Sequence, residues 1–255
     1  MPDLEGPGCP GCSARDGKAF RTPFSMAFQP IFDVTTGAVF AQEALVRPVG
    51  DGPSGAILSQ VTEENRYSFD QACRTRAIAL AAKLGMESRL SINFMPNAVY
   101  KPEHCIRSTL RAAERFHFPT ERLIFEFTEA EAIRDTGHLT HIVETYRALG
   151  FQTALDDFGA GYAGLGLLCD LAPDILKIDR ALIDGIAGDD RRRAVVSAIR
   201  TMAADLGITL IAEGIETAQD AAALADLGIT LQQGYHFARP AYERLILEPD
   251  GRAAA

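Results

Sequence analysis

The chain has 255 residues, of which 47% are apolar and 23% charged, a composition that excludes wholesale disorder, a collagen repeat and a disulfide-stapled miniprotein. Its 34 acidic and 25 basic side chains leave a formal charge of -9, so no broad basic surface is expected for duplex nucleic acid, and an anionic ligand needs local help from a lysine, a metal or backbone amides. Cys9, Cys12, Cys73, Cys105 and Cys169 are odd in number and scattered, which suits a reducing compartment. The opening residues carry acid, glycine and proline where a signal peptide needs a basic and then an apolar stretch. No apolar run reaches the roughly 18 residues of a membrane span. A cytoplasmic protein without membrane contact is expected.

In chain order, residues 1–22 read as a flexible tail, 23–247 as one domain without an internal linker, and 248–255 as a second tail. Apolar, β-rich runs fall at 26–34, 38–46, 89–95, 123–129, 151–158, 174–180, 208–214 and 230–237. Helical patterns fall at 67–84, 103–116, 138–149, 164–171, 190–206 and 217–227. The 190–206 segment shows the logic. Asp189 or Asp190 can cap it, Val195, Val196, Ile199, Met202, Ala203 and Leu206 form its apolar stripe, and Gly207 stops it. Strands alternating with crossover helices at this length fit an α/β chain folded as a (β/α)8 barrel. Thr35, Thr36 and Gly37 leave room only for a tight reversal, so the first two strands are expected to be antiparallel and the barrel irregular.

Polar residues mark the apolar runs, at Glu43, Asn93, Glu126 and Glu129, Asp156 and Asp157, Lys177 and Asp179, Glu213 and Glu216, and Gln233. A single carboxylate at a strand end is ordinarily just solvated. In a barrel, however, the C-terminal strand ends converge on one face, and carboxylates crowded there repel by about 1 kcal/mol per pair even in water. Such a set calls for cations. The donors are oxygens with no converging Cys or His, which suits Mg2+ or Mn2+ rather than structural zinc. Asp156 and Asp157 would face opposite sides of a regular strand, so both serve one pocket only where the alternation fails. One can then bridge two ions while its neighbour holds the second, an arrangement that polarises a phosphodiester and lowers the pKa of a shared water. A nearby lysine would offset developing charge.

Other patterns carry less. The glycines of Gly159-Ala160-Gly161-Tyr162-Ala163-Gly164, with Asp179 beyond them, match a dinucleotide fingerprint and hence a nicotinamide oxidoreductase. Two carboxylates immediately before them would oppose a pyrophosphate, so a mobile loop over the metals is expected instead. Cys9 and Cys12 supply only half a tetrahedral zinc site. His138, His141 and Glu144 share a helical face without a second ligand-bearing element and read as surface residues, and the charged run 189–193 reads as a capped, solvated helix start. No nucleophilic triad is evident.

Glu43-Ala44-Leu45 within QEALVR, Asn93 within SINF, Glu126-Phe-Thr-Glu129, Asp156-Asp157-Phe158-Gly159 within LDDFGAGY, Lys177-Ile-Asp179, Glu213-Gly-Ile-Glu216 and Gln233-Gly-Tyr-His-Phe237 together resemble the EAL-domain phosphodiesterases, enzymes that hydrolyse cyclic di-GMP. The resemblance covers about 24–242. It implies an imperfect TIM-type barrel whose first strand runs antiparallel to the others, two Mg2+ or Mn2+ ions, and linear pGpG as product. The resemblance puts one cation on Glu43, Asn93, Glu126 and Asp156 and a second on Asp156, Asp157 and Glu213. It sets Lys177 against the attacking water, Gln233 near substrate or water, and Glu129 beneath the glycine loop in a link to homodimerisation.

The reaction centre so implied comprises Lys177, Glu129, Asp157, Gln233 and Glu216, the last as a support at a helix start. Around it, Arg47 is read as a contact to phosphate or guanine and Leu45 as packing under a base, each with barrel packing as the alternative. Asp179 is assigned to the water network or to buttressing Lys177, and His236 to substrate contact or packing. Two departures from the family pattern stand out: Ala160 replaces a loop threonine and Pro48 a common tryptophan. No sensor domain is read in these residues, whereas relatives similar around YSFDQACR and INFMPNAVY are coupled to blue-light flavin sensors, so a separate sensory or signalling partner is an open expectation. The alternative from another class is a catalytically inactive cyclic di-GMP receptor that signals through protein contacts. The complete ligand set favours the enzyme.

Overall fold

A computed structural model describes residues 19–99, 101–128, 136–161 and 164–249. The chain opens with β1 (Phe24–Asp33) and β2 (Val39–Pro48), paired antiparallel from Phe24 against Pro48 to Phe32 against Val39. The reversal between them follows from its residues. Gly37 takes φ +72°, its N–H donates to the carbonyl of Asp33, and the Asp33 carboxylate accepts from the backbone and hydroxyl of Thr35. This is local turn chemistry that leaves no length for a crossover helix.

From β2 the sheet proceeds in parallel and in chain order through β3 (Arg89–Asn93), β4 (Leu123–Thr128), β5 (Gln152–Phe158), β6 (Ile175–Ile178), β7 (Thr209–Ala212) and β8 (Leu231–Gln232). The free edge of β1 then pairs antiparallel with β8, closing the barrel with its first strand reversed. A short β9 (Ala241–Tyr242) joins the same edge of the sheet by pairing with β1.

The helices are α1 (Gly55–Leu58), α2 (Arg66–Lys83), α3 (Pro102–Cys105), α4 (Arg107–Phe116), α5 (Thr136–Ala148), α6 (Gly164–Leu171), α7 (Arg180–Ile183), α8 (Asp190–Leu206) and α9 (Ala218–Asp226). The cap of α8 is Asp189, whose Oδ1 accepts from the N–H groups of Arg191 and Arg192, and Gly207 ends the helix at φ +70°. The expected helix at 103–116 is divided at Ile106 into α3 and α4. The expected strand at 230–237 is reduced to Leu231–Gln232.

Two apolar layers follow from the period-two alternation of the strands. One set of side chains, including Phe125, Phe127, Leu155, Leu176 and Ile178, forms the large core that the outer helices cover. The opposite set, Ile31, Ala41, Ile124, Ala154, Ile175 and Ile211, fills the barrel as a separate cluster. Two residues beyond five of these inner positions stand Glu43, Glu126, Asp156, Lys177 and Glu213. The alternation that packs the barrel floor therefore raises a polar layer above it, at the C-terminal ends of the parallel strands.

Cys73 and Cys105 are buried and Cys169 exposed, none of the three in a disulfide, while Cys9 and Cys12 lie outside the described residues. Among the described residues, no helix is long and apolar enough to cross a membrane.

Candidate functional site

Lys177 rises from β6 into the middle of the polar layer and has no exposed surface. Its Nζ lies 2.6 Å from Glu213 Oε1, 2.9 Å from Glu126 Oε1, 3.2 Å from Asp156 Oδ1 and 3.7 Å from Glu43 Oε2. The four contacts place the ammonium inside a cage of carboxylate oxygens. The carboxylates are steadied from their other sides. Ser91 Oγ donates to Glu126 Oε1 at 2.5 Å, and Asn93 Nδ2 donates to Glu43 Oε1 at 3.0 Å and Glu126 Oε2 at 3.3 Å. Gln233 Nε2 donates to Glu43 Oε2 at 2.9 Å. With its Nδ2 so engaged, Asn93 retains Oδ1 as a potential ligand atom.

At the end of β5 the alternation breaks. Asp157 adopts φ +54°, unusual for a residue other than glycine, and the register against β6 shifts between Leu155 and Phe158. Asp157 consequently joins its neighbour on one side of the strand. Ligand oxygens of Asp156, Asp157 and Glu213 lie within 4.8 Å of one another, and so do those of Glu43, Glu126 and Asp156. Asp156 belongs to both trios. An all-oxygen donor set, mostly buried and with only one ammonium inside it, fits divalent cations of the hard type.

Electrostatics express the same excess of negative charge. Burial, with Glu43 and Asp156 reinforcing it against Lys177, pushes the Glu126 carboxyl up to about 8. Burial and the neighbouring Asp156 and Asp179 push Asp157 up to about 6. Burial and Asp156 raise Glu213 well above the usual range. Asp156 is itself held below its usual value: burial acts to raise it, but Lys177, Glu213 and the Asp157 N–H together outweigh that. For Lys177, burial alone would favour the neutral amine, yet four carboxylates hold the ammonium well above its usual pKa.

Above the cluster opens a cavity of about 270 Å³, whose walls include Gln29, Glu43, Arg180, Glu213, Glu216, Gln233 and Tyr235. Glu216 sits on this rim in an ion pair with Arg180. Glu43, Leu45 and Arg47 share one face of β2 by alternation, with Arg47 Nη1 donating to the Val46 carbonyl at 2.8 Å. Neither Leu45 nor Arg47 is among the residues lining the cavity. Asp179 caps α7, its Oδ1 accepting from Ala181 N–H at 2.8 Å. His236 packs edge-on to Phe237, with ring centroids 4.8 Å apart, and burial lowers its pKa. Glu129 and Tyr162 lie outside the described residues.

Of the helical pair read as surface residues, His141 is exposed beside Glu103, whereas His138 is half-buried and bonded to the Val99 carbonyl. Sequence reading missed Ser91, Gln29, Arg180 and Tyr235. Ser91 and Gln29 are polar residues in otherwise apolar strands, a signal that was available. Tyr235 stands two residues past Gln233, and its ring faces the Arg239 guanidinium at 4.1 Å.

Fold and site together define a barrel protein whose C-terminal mouth carries an acidic, oxygen-only cluster suited to cations. The chain belongs to the EAL domain family, whose profile matches residues 18–240. It is similar to a standalone EAL protein of Vibrio cholerae O395, solved in its c-di-GMP bound form, with 48% identity and a TM-score of 0.89, over 93% of this chain and 100% of that one. It is also similar to Klebsiella pneumoniae BlrP1 in a manganese and cy-diGMP complex, with 32% identity and a TM-score of 0.82, over 87% of this chain and 57% of that one. The cyclic di-GMP phosphodiesterase RocR of Pseudomonas aeruginosa is 33% identical over 236 residues, which is 88% of this chain and 59% of RocR. The chain spans about half the length of the curated relatives it matches.

Proposed function

We propose that this protein is a metal-dependent phosphodiesterase that hydrolyses cyclic di-GMP to linear pGpG. The observation that carries the reading is the pair of carboxylate trios sharing Asp156 around a buried lysine. Glu43, Asn93, Glu126 and Asp156 would hold one Mg2+ or Mn2+, and Asp156, Asp157 and Glu213 a second. Cations bound there supply Lewis acidity and bring a water's pKa towards neutrality. The similar EAL structures solved with bound cyclic di-GMP, and in one case manganese, support the same choice of ligand and ion class.

The remaining roles fall to the chain's own groups. In the hydrolysis, water adds to phosphorus, the P–O3′ bond breaks, and the water's proton ends on the 3′ oxygen. Lys177 offsets charge that grows on the phosphoryl oxygens, in a site dry enough for that charge to count. Gln233 keeps an unpartnered, buried Oε1 beside its bond to Glu43, which orients water or a substrate hydroxyl. Glu216 fixes Arg180 at the rim, where a guanidinium meets an anionic dinucleotide. Tyr235, half-exposed at the same rim, offers a ring face to a guanine, while Leu45, Arg47, Asp179 and His236 form the wider substrate surround. Residues 23–247 act as the catalytic domain, in a cytoplasmic homodimer addressed by a separate sensory or signalling protein.

The test is incubation of cyclic di-GMP with the protein in Mg2+, in Mn2+ and in EDTA, with chromatographic resolution of products. Metal-dependent appearance of pGpG is expected. Binding of cyclic di-GMP without turnover in either metal would make the chain a receptor and overturn the enzymatic reading.

A further inference from the structure

One fully buried charge lies outside the site. Arg74 on α2 is 0% exposed, and Asp70, one turn earlier, is 3% exposed. Arg74 Nη2 meets Asp70 Oδ2 at 2.6 Å, and its Nη1 donates to Thr109 Oγ1 on α4 at 3.2 Å. Burying such a pair costs several kcal/mol of desolvation per ion, and apolar side chains of similar volume would pack these helices as well or better. An apolar side chain cannot accept a hydrogen bond, and Asp70 Oδ1 accepts one from the backbone N–H of Met95 at 3.1 Å.

Met95 lies two residues past Asn93, at the point where β3 has ended. The β2 ladder stops at Ile92, so Asn93 is paired only with Glu126 on β4. Beyond it, Phe94 N–H donates to the Glu126 carbonyl at 2.9 Å, and Met95 N–H turns to Asp70. Successive amides are thus tied to opposite supports, a ligand-bearing strand on one side and α2 on the other.

We propose that Asp70, itself locked by Arg74, is a positioning residue for Asn93, and that its hold on the Met95 amide sets the affinity of the cation site. The inference rests on the reading that Asn93 helps hold a cation. Asp70 reaches the ligand through the backbone, by a hydrogen bond to the amide two residues past Asn93, and so acts as an outer support behind a metal ligand. Arg74 neutralises Asp70 without competing for the oxygen that faces Met95.

The experiment compares two double variants that both remove the buried charges. D70N/R74M keeps a carboxamide oxygen for the Met95 amide, and D70A/R74M removes the acceptor. Mn2+ is titrated into the full chain, stripped of metal, and binding is read by calorimetry and by the resonance of free Mn2+. The dissociation constant is expected to rise about 10-fold in D70A/R74M and to stay within about twofold of the parent in D70N/R74M. Equal affinity in the two variants, whether preserved or lost, would overturn the proposal. A parent protein that binds no Mn2+ would instead overturn the reading of the site itself, before any substitution is made. Should either variant fail to fold, the parent supplies the second measurement. Coupling is reciprocal, so Mg2+ saturation is expected to slow hydrogen exchange of the Met95 amide, and an unchanged rate would overturn the proposal.

Discussion

Lys177 Nζ lies 2.6 Å from Glu213 Oε1, although one residue belongs to β6 and the other follows β7. The ammonium stands where the excess of carboxylates needs positive charge most. In the proposed metal-loaded state it divides with the cations the task of making the barrel mouth stable.

Replacement of Lys177 by methionine follows from that division. Removing one partner of a buried ionic cluster leaves its opposite charges uncompensated, at a cost of about 3 kcal/mol. In EDTA, the unfolding free energy of K177M is expected to fall by about this amount, and added Mg2+ is expected to restore more stability to the variant than to the parent. Urea titrations with and without metal measure both. An equal response to Mg2+ in the two proteins would refute the division.

Asp156 belongs to both carboxylate trios, so on the proposed reading its conversion to asparagine weakens both cation positions at once. Turnover of cyclic di-GMP is expected to drop more than about 30-fold, corresponding to over about 2 kcal/mol of transition-state stabilisation, while the far-ultraviolet dichroism is retained. Undiminished turnover would remove Asp156 from its bridging role.

The raised acids predict an opposed pH response of the cation-free and loaded forms. Folded Glu126 keeps its proton to about 8, where the usual value is 4.5, and Asp157 to about 6, where it is 3.8. Between those values the native state binds more protons than the unfolded chain, so stability in EDTA falls as pH rises through the window. Lys177 is raised above 10.5 and Asp156 lowered below 3.8, so neither titrates within it. Cations displace the same protons, and Mn2+ affinity is therefore expected to rise across the interval in which stability in EDTA declines. Thermal melts and Mn2+ titrations from about pH 5 to about pH 8 measure the two trends.

Gly234 is a close-approach position. A Cβ there would stand 2.1 Å from the Ile215 carbonyl oxygen and 2.3 Å from its nitrogen, and that backbone is itself tied by Ile215 N–H to the Gln233 carbonyl at 3.1 Å. Gly234→Ala is expected to cost about 2 kcal/mol or more of stability and to reduce turnover through displaced Gln233. Gly166 in α6 has nothing within 4 Å of its Cβ position, and Gly166→Ala is expected to gain up to about 1 kcal/mol. Urea midpoints of the two variants provide the comparison.

Much of the barrel was legible because its signals are local. Apolar runs alternate with helical stripes, Asp189 and Gly207 bracket α8, and the Thr35-Thr36-Gly37 turn forces the antiparallel start. The failures have local causes too. β8 is cut to two residues because the chain turns at Gly234 against Ile215, an event that the apolar run at 230–237 does not announce. β9 and the four-residue α7 are likewise too short to display a period.

Residue types and spacing alone determined that the chain forms an alternating α/β barrel and that its strands end in oxygen donors, because hydrophobic period and turn chemistry act between neighbours in sequence. The family pattern was readable for the same reason. Only the tertiary structure decided that Asp157 would turn at φ +54° to share a side with Asp156, that Lys177 would be the one ammonium inside the carboxylates, and that Asp70 on a distant helix would grip the backbone beside Asn93. These relationships depend on barrel closure, which brings together groups as far apart in sequence as Glu43 and Gln233, 190 positions from each other. No local propensity encodes a distance of that kind.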